Sequence, residues 1–257
     1  MERQGRQVRE KTLLSLYDTF EQWAQGYQDV LQPVCKKGCD SCCTRNVTIT
    51  AMEGENILRH IVARGQERWF AQTLARALIE QKCQGDLVYT TNEFAQACFD
   101  GRDIDMERDE RSGVCPFLKE SLCTIYQVRP FACRLFLSAQ KCTAKRPALL
   151  PDFYQDAATV ANQLIEHLGQ KEYWGNVLNV LAALLDCVEF SAIARYVAEC
   201  DPGLSRIARM RIRSAQPLPG FLIGEEHISM VNTFLNSFFE TEIEGIQVRE
   251  ILNGRVR

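Results

Sequence analysis

Apolar positions recur every three or four residues along much of the chain, which predicts helix over most of its length. Across residues 8–31, Leu13, Leu16, Tyr17, Phe20, Trp23, Tyr27, Val30 and Leu31 keep helical spacing, and Pro33 ends the run. Residues 47–50 read as a short extended segment. Thr50-x-x-Glu53 then fits a capping box, in which each side chain satisfies a backbone N–H at the helix start. The helix it opens carries Ile57, Leu58, Ile61 and Val62 and ends near Gly65. Another, over 67–82, lines up Trp69, Phe70, Leu74 and Leu78. Residues 101–113 are mostly charged and predict an exposed loop, and residues 115–142 show little period at all. Asp152 reads as the N-cap of a helix that ends at Gly169. The longest apolar run, 173–200, predicts one long buried helix stopped by Asp201-Pro202-Gly203. A helix over 204–213, a turn at Gln216-Pro217-Leu218-Pro219-Gly220 and a last helix over 225–240 complete the pattern.

No repeat or heptad array interrupts this. The expected fold class is mainly α with little β, and an irregular cysteine-rich metal-binding centre packed between helices. A single compact domain over 1–257 is expected, with a cysteine-cluster core at 33–145 and a C-terminal helical layer at 151–257.

Composition changes the picture little. Hydrophobic content of 46% and charged content of 25% are those of an ordinary soluble globular protein. A net charge of -3 gives no sign of a surface built for nucleic acid or an anionic membrane, while a protein partner stays open. Arg206, Arg209, Arg211 and Arg213, interleaved with Ile207 and Met210, read as a solvated helix face. The first ten residues lack the apolar core of a signal peptide. Asn179, Asp186 and Glu189 break the most apolar stretch and argue against a membrane span. The expected location is therefore cytoplasmic, where thiols stay reduced.

Cysteine changes the picture most. Eight of the twelve fall in two groups, Cys35-x3-Cys39-x2-Cys42-Cys43 and Cys115-x7-Cys123-x9-Cys133-x8-Cys142. Thiols this crowded in a reducing compartment point to metal rather than to disulfides. Soft thiolates suit zinc or an iron–sulfur cluster, and each such site takes four ligands. Eight exceed one site, so two sites, a polynuclear site and one site with spare thiols all stay open. The side chains of neighbours Cys42 and Cys43 are expected to diverge. Lys36, Lys37, Arg45, Lys119, Arg129, Arg134, Lys141 and Lys145 surround the groups and can offset thiolate charge. A metal that joins two distant segments also supports the fold, so a structural role stands beside a functional one. Cys83, Cys98, Cys187 and Cys200 read as buried small hydrophobes. His60, His167 and His227 show no ligand spacing.

The second group contains Cys115-Pro116-Phe117-Leu118 and, from Cys123, the string C-x-I-Y-x-x-R-P-x-x-C-R-x-F through Phe136. With C-x3-C-x2-C-C upstream, residues 33–145 resemble the YkgJ-type cysteine-cluster family of zinc- or iron-chelating proteins. The resemblance implies a bound metal or iron–sulfur cluster held by Cys35, Cys39, Cys42, Cys43, Cys115, Cys123, Cys133 and Cys142. A more distant similarity, to flagellin lysine-N-methylases, implies an S-adenosylmethionine-dependent modifying enzyme as an alternative. A redox- or metal-responsive interaction module is a third reading.

Overall fold

The computed structural model describes residues 2–81, 89–104, 113–143 and 145–254. The chain is 57% helical and 9% strand, so the fold is mainly α. Its helices are α1 (Glu2–Gln25), α2 (Gln28–Leu31), α3 (Ala51–Ala63), α4 (Glu67–Glu80), α5 (Thr91–Phe99), α6 (Phe131–Arg134), α7 (Asp152–Leu168), α8 (Val177–Ala183), α9 (Ser191–Cys200), α10 (Leu204–Arg209), α11 (Ile228–Phe239) and α12 (Val248–Leu252). The strands are short: β1 (Thr48–Thr50), β2 (Leu118–Lys119), β3 (Leu122–Cys123), β4 (Tyr173–Asn176), β5 (Arg213–Ser214), β6 (Glu242–Ile243) and β7 (Ile246–Gln247). The chain gathers into two compact units. The first is Met1–Cys35, Leu137–Leu168 and Pro217–Arg257; the second is Lys36–Phe136 and Gly169–Gln216.

The first unit packs α1, α7 and α11 through their apolar stripes. Phe20 meets the ring edges of Tyr154 and Phe234, each at 5.5 Å between centroids. Trp23 stacks on Tyr154, and its indole N–H donates to the Met230 carbonyl and the Thr233 hydroxyl. The Pro-rich turn after residue 216 is tied down by polar groups of α7. Buried Gln163 donates to the Gly220 carbonyl and accepts from the Leu222 N–H. His167 Nδ1 accepts from the Leu218 N–H at 3.0 Å, which leaves Nε2 to donate to the Leu252 carbonyl at 2.9 Å. The hairpin β6–β7, reversing through left-handed Glu244 and Gly245, and α12 follow where the apolar period stops. The predicted helix over 8–31 is divided at Gly26 and Tyr27 into α1 and α2.

The second unit holds one hydrophobic core. It is built from Ile57, Leu58 and Ile61 of α3, Phe70, Leu74 and Leu78 of α4, all of α8 except Asn179 and Ala183, and Ile193 and Val197 of α9. The predicted capping box is present: the Thr50 N–H donates to Glu53 Oε2 at 2.9 Å, and the Glu53 N–H to the Thr50 hydroxyl. A second box, Thr90 with Glu93, opens α5.

The predicted helix over 173–200 is not one helix. Its first four residues form β4, the central strand of a sheet in the order β1-β4-β5, with Thr50 opposite Trp174. The Asn176 side chain accepts from the Leu178 N–H and starts α8. The run then bends by 104° between 177–186 and 188–200. A straight helix would carry Asp186 and Glu189 along the buried face. The bend instead lets Asp186 pair with Arg209, and Glu189 with Arg59 at 3.2 Å. Among the described residues no single helix is long and apolar enough to cross a membrane. The predicted helix over 204–213 also stops early. Arg213 lies on β5, not on a helix face, and its guanidinium grips both Glu93 oxygens at 2.8 and 3.0 Å.

Candidate metal centre

The two cysteine groups meet in the second unit through backbone hydrogen bonds. Cys43 closes a turn by donating its N–H to the Asp40 carbonyl at 2.8 Å, and its own carbonyl accepts from the Cys115 N–H at 3.0 Å. Next to it the Arg45 N–H donates to the Gly113 carbonyl, and Thr44 bridges Val114. Asn176, at the end of β4, donates its side-chain amide to the Arg45 carbonyl at 2.7 Å. Segments far apart in sequence are thus tied where the last thiol of the first group and the first thiol of the second lie.

Beyond Cys115 the chain reverses through β2 and β3, with Leu118 opposite Cys123 and left-handed Glu120 and Ser121 at the turn. The Ser121 hydroxyl donates to the Asp40 carboxylate at 2.8 Å, a second tie to the first group. Thr124 donates both its N–H and its hydroxyl to the Phe117 carbonyl. Phe117, 1% exposed, stacks flat on Phe70 of α4 at 5.4 Å with 2° between the rings. Cys133 is carried by α6, whose first N–H, that of Phe131, donates to Glu53 Oε1 at 2.9 Å. Arg134 braces this loop by donating to the carbonyls of Arg129 and Gln127. Cys115, Cys123 and Cys133 all lie against the hydrophobic core.

Four of the predicted ligands stand in one another's electrostatic field. Burial pushes the Cys133 thiol far above its ordinary pKa, and the sulfurs of Cys115, Cys123 and Cys43 and the Glu53 carboxylate push it further. Cys43 is raised by burial, then by Cys115, Cys123 and Asp40, against a hydrogen bond with the Cys42 thiol. Cys115 and Cys123 are raised by burial in the same way. Each is partly relieved by the backbone N–H two residues on, that of Phe117 and that of Ile125 respectively. Arg45 offsets charge at Cys115, and Arg129 at Cys123. The donor set fits a soft cation. Its thiols resist ionising one by one; a metal would replace their protons, and the amides and arginines would take up the remaining negative charge.

The other predicted ligands stand differently. Cys42 is exposed and hydrogen-bonds with Cys43, so the neighbouring thiols do not diverge as expected. Cys39 is exposed on a turn closed by its N–H to the Lys36 carbonyl. Cys35 and Cys142 belong to the first unit, where Cys35 is exposed and the Cys142 thiol faces the Gln140 carbonyl at 3.8 Å. Among the described residues no three His, Cys, Asp or Glu side chains converge closely enough to hold a metal ion as they stand. Cys98, Cys187 and Cys200 are exposed rather than buried, because each falls at a helix end or bend that turns it outward; Cys83 lies outside the described residues. Sequence reasoning missed the second role of Glu53 and the tie from Asn176. The capping box points to the first; nothing in the sequence points to the second.

Neither a curated protein nor a solved structure matches the chain. The comparisons therefore do not extend to the flagellin lysine-N-methylases. A family model does match, over residues 34–149, a stretch that contains all eight grouped cysteines. Over that stretch the chain is similar to the CxxCxxCC family, described as a putative zinc- or iron-chelating domain.

Proposed function

We propose that this protein binds zinc or an iron–sulfur cluster through cysteine thiolates, with Cys43, Cys115, Cys123 and Cys133 as the inner four. The observation that carries this reading is the meeting of the two groups: the Cys43 carbonyl accepts from the Cys115 N–H, and Cys115, Cys123 and Cys133 lie against one hydrophobic core. Four thiolates satisfy one tetrahedral zinc or one cubane. Cys39 and Cys42 lie in the same unit, so the supply exceeds four, which favours an iron–sulfur cluster or a polynuclear site. Cys35 and Cys142 are ligands on the grounds of the sequence pattern. A bound metal would supply a charge sink for the sulfurs, and an iron–sulfur cluster would add electron transfer. The reading places the protein in the reducing cytoplasm.

Anaerobic purification followed by elemental analysis and absorption spectroscopy tests it. Brown protein with bound iron and broad charge-transfer absorbance supports the cluster. Colourless protein with stoichiometric zinc removes the preference for iron. Protein that takes up neither metal overturns the reading.

A further inference from the structure

Glu53 is 5% exposed and makes two kinds of contact. One carboxylate oxygen, Oε2, accepts from the Thr50 N–H at 2.9 Å and the Thr50 hydroxyl at 3.2 Å, which completes the cap of α3. The cap needs no more than that oxygen. The other, Oε1, reaches across 78 residues of sequence and accepts from the Phe131 N–H at 2.9 Å. Phe131 is 1% exposed, opens α6 and lies two residues before Cys133. We propose that Glu53 is a positioning residue for the thiol centre: it fixes where Cys133 stands by holding the start of α6 to the start of α3. The proposal rests on the metal-binding reading above and concerns which residue sets its geometry.

The chemistry favours a carboxylate at this position. Two buried N–H groups approach two different oxygens, so both oxygens must accept. A glutamine has one oxygen and would turn its amide N–H2 toward one of the donors, leaving that donor unpaired in a buried place. If α3 needed only its cap, the Thr50 hydroxyl would matter to the helix as much as Glu53 does, and neither would matter to the metal.

The experiment compares wild type, Glu53→Gln and Thr50→Ala, each stripped of metal and titrated with cobalt(II). The thiolate charge-transfer band of cobalt(II) reports sulfur ligation. Groups that orient metal ligands typically count for about 10–100-fold in affinity when removed. Glu53→Gln is expected to bind cobalt(II) about 10-fold or more weakly than Thr50→Ala. Its charge-transfer intensity should also fall as one sulfur leaves the shell, although both metal-free variants melt within a few degrees of each other. Equal affinity and intensity in the two variants would overturn the proposal while leaving metal binding intact. No cobalt(II) uptake by wild type, with neither iron nor zinc bound in the protein as purified, would overturn the metal-binding reading and the proposal with it. If Glu53→Gln does not fold, Glu53→Asp is read against the same outcomes, since it keeps both oxygens but withdraws them by one methylene.

Discussion

Cys133 sits where an isolated thiolate is hardest to hold, pressed on apolar side chains and faced by three sulfurs and a carboxylate. On the proposed reading, its removal would take a ligand from an enclosed corner of the site. Cys133→Ser and Cys123→Ser are expected to lose most of the bound metal, measured by elemental analysis after gel filtration. Cys187→Ser, at an exposed position outside both groups, should keep wild-type metal content. Equal loss in all three would show that metal content follows general stability rather than ligation. The grouping of cysteines was legible in the sequence, and so was the soft-metal chemistry it implies. Which four thiols share a neighbourhood was not, because Cys43 and Cys115 are joined by a backbone bond between segments that no local pattern links. The exposure of Cys98, Cys187 and Cys200 was also hidden, since residue type alone says nothing about which way a helix end faces.

Among the elements, helices with a clear apolar stripe were readable: α1, α3, α4, α7 and α11 fall where the periodicity puts them. The run over 173–200 was not, because a continuous apolar stretch suits a central strand as well as a buried helix. Pairing of β4 with β1 and β5 decides the matter only in three dimensions. The cap of α5 was visible as Thr90-x-x-Glu93, but its weak apolar pattern gave no reason to look. The close approach of α3 to α8 was equally hidden. A Cβ added at Gly54 would lie 2.7 Å from Leu184 Cδ1, with Val180 and Ile49 also close. Gly54→Ala is expected to destabilise the protein by about 1–3 kcal/mol in chemical denaturation, the range for overpacked cores. An unchanged midpoint would mean that the helices can part at little cost.

The link between α5 and β5 should show in acid. Burial raises the Glu93 carboxyl, but the hydrogen bonds from Arg213 and the Thr90 N–H, together with the Arg213 charge, outweigh it and hold the group below its ordinary value. A carboxyl depressed in the folded state adds stability above its unfolded value, about 4.3, and loses it as pH falls through the folded value. The melting temperature should therefore drop more steeply below about pH 4 in wild type than in Glu93→Gln. The pair is partly exposed, so the difference will be small. Parallel curves would remove the pair from the account of acid stability.

For the molecule as a whole, bound metal should act as a ligand of the folded state. Chelation at neutral pH is expected to lower the melting temperature, by about 2–4 °C for each kcal/mol of binding free energy withdrawn. Differential scanning calorimetry with and without chelator measures this directly, and superimposable scans would exclude a supporting role for the metal. Amide exchange should quicken most in α4 and α8, whose side chains build the core on which Cys115, Cys123 and Cys133 lie.

The flat stack of Phe117 on Phe70 has a consequence for how quickly and how tightly such a centre fills. Phe117 and Ile125 supply the amides that face two of the sulfurs, and both are buried in the core. The loop therefore surrenders much of its conformational entropy to apolar packing, before any ion arrives. On the proposed reading, an incoming metal would not have to order these two thiols from a random ensemble, and what it does not spend on ordering would appear as affinity. Phe117→Ala should then slow cobalt(II) uptake and weaken it, with the thiols themselves untouched. The hydrophobic core would in that sense be the part of this protein that prepares the metal's place.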